Sequence, residues 1–179
     1  MGIVVKDNGG TWEPIPVGVT RAVCCNIYDL GLQPGFQGKE THKIVVAWEI
    51  EERKREGEWA GKRFMVTKTY TASLNEKATL RHDLESWRGS SFTADELAGF
   101  DLENIYGKPC WLNLVEQTTK AGRKWTAVAA IMPPKKGEER LVVETPRDYV
   151  PQWIADLIAR PIASESAETA SFDDDNIPF

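Results

Sequence analysis

The predicted connections between strands carry both basic and aromatic side chains. Proteins that bind nucleic acids use both of these side-chain types. The grouped cations are Lys39, Arg53, Lys54, Arg55, Lys62, Arg63, Lys120, Arg123 and Lys124. Lysine and arginine can follow phosphates, while aromatic rings stack on bases without reading their sequence. Trp59, Tyr70 and Trp125 are interleaved with these cations, and Lys68 shares a predicted strand face with Tyr70. The pattern predicts a surface for single-stranded nucleic acid.

Residues that could support catalysis do not form a recognisable motif. The sequence has no paired-cysteine metal spacing and no glycine-rich phosphate loop, and His42 and His82 lack ligand partners at motif spacing. Glu49, Glu51 and Glu52 could indicate a metal-dependent nuclease, but alternating glutamates on a strand are typical of a solvated face. We therefore expect no enzymatic activity, no metal and no cofactor.

The net charge of −5 is confined to the C-terminal end of the chain. Five of the 27 acidic residues follow residue 164 and no basic residue does, so the preceding chain has 22 acids against 22 Lys and Arg. A neutral body with a separate acidic arm indicates that the function has two parts.

Alternating apolar residues predict five strands, over residues 18–30, 41–52, 63–71, 108–118 and 124–132. Capping boxes at Ser73/Glu76 and Thr93/Glu96 predict helices between the third and fourth strands. An apolar stripe predicts another helix over 151–159. The predicted fold is mainly β: a five-stranded OB-fold barrel with a helical insert between strands three and four and a C-terminal helix. Trp48, Trp87 and Trp153 lie on apolar faces and are assigned to the core.

Four segments follow from this pattern. Residues 1–17 form an irregular N-terminal arm, and residues 18–134 form the OB-fold DNA-binding domain. Residues 135–163 are an extension that carries the last helix. Residues 164–179 are predicted to be a disordered acidic tail, because residues 164–175 have almost no apolar side chains to bury.

The chain ends in three acids followed by an apolar tip, which is typical of a short docking motif. The residues concerned are Asp173, Asp174, Asp175, Ile177, Pro178 and Phe179. This ending resembles that of bacterial single-stranded-DNA-binding proteins, apart from the additional Asn176. The body is more similar to the single-stranded-DNA-binding proteins of tailed bacteriophages, which also join an OB-fold to an acidic tail.

The resemblance implies sequence-independent binding and protection of single-stranded DNA during replication, recombination and repair. It also implies recruitment of polymerase, helicase or primase through the tail, and the chain could form a homo-oligomer.

No apolar run has the ~20 residues that a membrane helix needs, and the first residues do not form a signal peptide. We expect a cytoplasmic protein, in the host cytoplasm if a phage encodes it. The alternatives are a protein-interaction or duplex-DNA-binding module with the same tail, or a metal-dependent nuclease.

Overall fold

The computed structural model describes residues 13–160. The strands are β1 (Gly18–Pro34), β2 (Glu40–Arg53), β3 (Arg63–Thr71), β4 (Pro109–Thr118) and β5 (Lys124–Met132). The helices are α1 (Thr79–Arg88), α2 (Ala94–Ala98) and α3 (Gln152–Ala159), with 3-10 turns at Phe36–Gly38 and Leu102–Ile105. The first 12 residues of the arm and the acidic tail, with its predicted docking residues, lie outside the described range. No helix within that range combines the length and apolarity needed to cross a membrane.

The strands form one antiparallel sheet in the order β3-β2-β1-β4-β5. The mainly β prediction with five strands is therefore confirmed. Within residues 13–160 no hydrogen-bonded ladder joins the outer strands β3 and β5, so the sheet is open. Cα atoms of these two strands nevertheless come within 8 Å of each other.

The register fixes which connections lie together. Gly18, the first residue of β1, pairs with Leu114, and β4 continues beyond this point to Thr118. Ala22 pairs with Ile50, and β2 continues to Arg53. The β2–β3 connection and the β4–β5 hairpin therefore project from the end of the sheet where β1 begins.

The sheet has an apolar cluster on each face. On the inner face, Trp48 and Trp87 lie 6.0 Å apart between ring centroids, which confirms both as core residues. On the outer face, Ile154 of α3 is fully buried in a second cluster with side chains of β1 and β2, including Tyr28 and Val45. The extension after β5 thus packs against the sheet and covers part of its outer face.

This packing overturns two sequence predictions. Glu49 was assigned to a solvated face, but it is 2% exposed because the extension covers it. Trp153 was assigned to the core, but it is 43% exposed because α3 packs through Ile154 and Leu157 instead. The β2 strand is consequently buried on both faces, whereas its sequence pattern indicated one buried face.

Two boundaries also differ from the predictions. The strand β1 continues to Pro34, with register shifts near Asn26 and Gly31, and Gly31 takes a φ of 64° that suits glycine. The capping box at Ser73 is wrong: α1 begins at Thr79, and the Ser73 hydroxyl accepts a hydrogen bond from the Asn75 amide. The box of Thr93 and Glu96 is confirmed at the start of α2.

Candidate nucleic-acid interface

A groove of about 380 Å³ lies between the β2–β3 connection and the C-terminal extension. We call it the aromatic groove, after Trp59 and Tyr149. Its other lining residues are Glu49, Lys54, Lys62, Arg63, Met65, Glu144, Thr145 and Pro146. Trp59 is 52% exposed and Tyr149 is 41% exposed. Two large aromatic side chains that remain half exposed beside lysines provide stacking surface next to positive charge.

The β2–β3 connection is folded back on itself, which holds Trp59 at the surface. The Lys54 amide donates to the Lys62 carbonyl at 2.9 Å, and the Gly61 amide donates to the Lys54 carbonyl at 2.8 Å. Gly57 and Gly61 have φ values of 83° and 82°, which L-residues rarely adopt. These two glycines allow the tight turn that presents the indole ring.

Tyr149 enters the groove from the extension, and sequence reasoning missed it. Its carbonyl accepts a hydrogen bond from the Tyr28 hydroxyl at 2.7 Å, and its amide donates to the Pro146 carbonyl at 3.0 Å. These bonds fix its backbone while its ring stays half exposed. The only signal in the sequence is one aromatic residue in a polar segment between prolines, which is not specific.

Lys54 and Lys62 give the groove its positive charge. Lys54 Nζ lies 6.0 Å from the centroid of the Trp59 ring and 5.9 Å from that of Phe64. Within residues 13–160, neither lysine forms an ion pair at 4.0 Å or less. Both ammonium groups can therefore meet a phosphate without first breaking a salt bridge.

Arg53 and Arg63, also predicted to contact DNA, instead hold the extension in place. The Arg53 guanidinium contacts both Glu144 carboxylate oxygens, at 2.6 and 2.9 Å. Arg63 is 11% exposed, lies 3.3 Å from Glu49, and donates to the Val142 carbonyl at 2.7 Å. The hydrogen bonds from Arg53, together with the charge of Arg63, lower the pKa of Glu144. Both arginines are thus paired with acidic side chains, and their predicted contact with DNA stays a prediction.

Lys68 and Tyr70 do not form a surface for bases. Tyr70 is 4% exposed, and its hydroxyl donates to Asp83 at 2.7 Å. Lys68 contacts the same Asp83 oxygen at 2.7 Å. Burial, followed by the neighbouring Asp83 charge, raises the pKa of Tyr70 well above its ordinary value. Tyr70 belongs to the core, because its strand face is the inner face of the sheet, and stacking on a base would require it to leave that core.

The β4–β5 hairpin places further cations at the same end of the sheet. Lys120 and Arg123 are exposed in a turn closed by a 2.8 Å bond from the Thr119 amide to the Arg123 carbonyl. Lys124 pairs with Glu116 at 3.0 Å on the surface, and Trp125 is half-buried beside it.

Residues 13–17, the described part of the N-terminal arm, form hydrogen bonds with both the β2–β3 connection and β5. Glu13 accepts from the Arg55 amide at 2.8 Å, while the Ile15 carbonyl accepts from Thr126 at 3.1 Å. The Arg55 side chain remains exposed. Lys39 is also exposed, but it precedes β2 at the opposite end of β1 and does not join the others.

The three glutamates that suggested a nuclease have separate structural partners. Glu49 accepts hydrogen bonds from the extension, Glu51 pairs with Arg21, and Glu52 accepts from Thr20 at 2.6 Å. Within the described residues, no three His, Cys, Asp or Glu side chains are grouped so that they could hold a metal ion.

The sequence was also compared with known proteins. No protein-family model matches the chain, and no curated protein matches it.

Proposed function

We propose that this protein binds single-stranded DNA without sequence preference, and that the strand enters the aromatic groove. The observation that carries the proposal is the pair of half-exposed rings, Trp59 and Tyr149, beside the lysines Lys54 and Lys62. Stacking on aromatic rings tolerates every base, and lysines meet the backbone that all sequences share. The exposed cations of the β4–β5 hairpin extend the positive surface at this end of the sheet.

The fold supports the same proposal. A five-stranded sheet with β1 at its centre and outer strands that approach each other is compatible with an OB-fold, a partly open barrel that binds oligonucleotides. We propose that the sheet is such a barrel. The extension then shapes the binding face, since it covers part of the outer face and supplies Tyr149 to the aromatic groove.

We further propose that the tail recruits replication proteins. The supporting observation is the sequence Asp173–Phe179, whose apolar tip follows three carboxylates and resembles the ending of bacterial single-stranded-DNA-binding proteins. The function would then be protection of single strands in phage replication, recombination and repair, in the cytoplasm of the host.

Replacing Trp59 tests the groove. Loss of one stacked base is worth about 1–3 kcal/mol, so Trp59→Ala should weaken binding of a fluorescein-labelled oligo(dT) roughly 5- to 150-fold in fluorescence anisotropy. The matched control is Trp153→Ala, which removes another half-exposed indole from outside the groove. Equal affinities of the two variants would refute the groove as the site.

Two tail variants separate docking from charge. Phe179→Ala removes the apolar anchor but keeps every acid, so polymerase, helicase or primase should no longer be captured while affinity for oligo(dT) stays unchanged. Deletion of residues 164–179 should abolish capture and also raise DNA affinity, most at low salt, because five carboxylates no longer compete with phosphates. Normal capture by the Phe179 variant would show that the terminal residue is not an anchor.

A further inference from the structure

A second cavity, of about 570 Å³, lies where β3 ends and α1 begins. Three lysines line it, Lys43, Lys68 and Lys77, and much of the remaining lining consists of hydroxyl side chains such as those of Thr69 and Ser73. We call it the lysine cavity. The sequence pattern did not single it out, because its lysines come from β2, β3 and the turn before α1.

The lysine cavity differs from the other grooves in its charge. Its lining contains no Asp or Glu, whereas the aromatic groove includes Glu49 and Glu144. Lys68 is offset by Asp83 at 2.7 Å, but Lys77 is exposed and forms no ion pair within the described part of the chain. In a protein with a net charge of −5, such a lining favours an anionic ligand.

The chemistry of the donors fits phosphate. Ammonium groups form charge-assisted hydrogen bonds with phosphate oxygens, and the hydroxyls of Thr69 and Ser73 can donate to the same oxygens. Phosphate contacts of this kind position a nucleic acid but do not read its sequence.

The lysine cavity and the aromatic groove are both lined by residues of β3. Met65 lines the aromatic groove and Thr69 lines the lysine cavity, and both project from the same face of β3. Four residues of strand separate them by about 13 Å, at roughly 3.3 Å per residue. One OB-fold occupies roughly 4–16 nucleotides, so a single strand can reach both places.

We infer that the lysine cavity binds a backbone phosphate of the same single strand whose bases stack in the aromatic groove. This inference rests on the proposed function and adds a direction to it: the DNA follows the outer strand β3 from the β2–β3 connection towards α1. Lys77 is the residue through which this contact can be tested without disturbing the core.

The test compares Lys77→Gln with Lys136→Gln in the full chain. Both lysines are exposed, but Lys136 lies outside the lysine cavity and the aromatic groove. For oligo(dT), the slope of log affinity against log salt should become shallower by about 0.7 in Lys77→Gln, the effect of losing one phosphate contact on a single strand. The Lys136 variant should keep the wild-type slope. Equal slopes in the two variants would overturn the inference.

Binding of inorganic tripolyphosphate tests the anion site in the lysine cavity separately from the proposed binding of single-stranded DNA. Wild type should bind it in calorimetry, and Lys77→Gln should bind it at least several-fold more weakly than Lys136→Gln. If wild type binds tripolyphosphate through Lys77 but does not bind oligo(dT), the proposed function fails while the anion site stands. If wild type does not bind tripolyphosphate, or Lys77→Gln binds it as tightly as Lys136→Gln does, the lysine cavity is not an anion site. Thermal midpoints equal to wild type would establish that both variants are folded.

Discussion

Glu49→Gln should release the extension from the sheet. The Glu49 carboxylate accepts from the Thr145 amide at 2.6 Å and from the Glu144 amide at 3.1 Å, and it lies 3.3 Å from Arg63. Glutamine retains the shape but replaces one oxygen by an NH₂ group, which cannot accept from a backbone amide. The substitution also leaves the Arg63 guanidinium without its most buried counter-ion.

The size of the loss follows from these contacts. Breaking a buried ion pair by removing one partner costs about 3–5 kcal/mol, and a hydrogen bond to a charged group contributes about 1.5–3 kcal/mol. Arg63 keeps its bond to the Val142 carbonyl and lies 3.5 Å from Glu144, and glutamine keeps one acceptor oxygen. We therefore expect Glu49→Gln to lower the free energy of unfolding by about 3 kcal/mol, the lower end of the range for a broken buried ion pair. This is a large part of the roughly 5–15 kcal/mol that stabilises a typical domain.

Urea denaturation measures this loss. With a slope of about 1–3 kcal/mol per molar urea, the midpoint of Glu49→Gln should fall by roughly 1–3 M. The control is Glu51→Gln, whose exposed pair with Arg21 contributes about 1 kcal/mol or less. Hydrogen exchange at the Glu144 and Thr145 amides should accelerate only in the Glu49 variant. If the two variants have equal midpoints, the buried carboxylate does not hold the extension.

Three further predictions concern the core, the extension and the groove. Tyr70→Ala should lower the free energy of unfolding by about 3–5 kcal/mol in urea titrations because the ring is core, whereas a surface stacking residue would leave it nearly unchanged. The pKa of Glu144 is lowered in the folded state, so its ionised carboxylate stabilises the fold above the unfolded pKa, and this stabilisation is lost as the pH falls through the lower folded value. Thermal midpoints should therefore fall less steeply on acidification in Glu144→Gln than in wild type, and equal slopes would argue against the pairing with Arg53. Tyr149→Ala should weaken oligo(dT) binding in anisotropy while Tyr149→Phe preserves it, since stacking needs the ring and not the hydroxyl; a loss in both variants would indicate a polar contact instead.

The strands were predictable because their signal is local. Ile44, Val46, Trp48 and Ile50 alternate along β2, and this alternation is set by the inner face of the sheet. The exposure of Trp59 was also predictable, since it lies among charged residues between two glycines that turn the chain. Such features depend on neighbours in sequence, and a single sequence displays them.

The remaining features depend on partners far away in the chain. Arg53 and Arg63 belong to a cationic cluster in sequence, but Glu144, about 80–90 residues later, compensates their charges. Glu49 looked solvated because its partners are backbone amides 95 and 96 residues away. Tyr149 and the lysine cavity likewise arise only when separate segments meet. Residue spacing carries no record of these contacts.

The most direct test of sequence-independent single-strand binding is an anisotropy titration across a series of salt concentrations. Labelled oligo(dT), a mixed-sequence single strand, the matching duplex and an RNA of the same length would be compared. We predict similar affinities for the two DNA single strands, weaker binding of the duplex, and a log–log salt slope of roughly −3 to −4, corresponding to about four to six phosphate contacts. A slope near zero, or tighter binding of the duplex than of either single strand, would contradict the account.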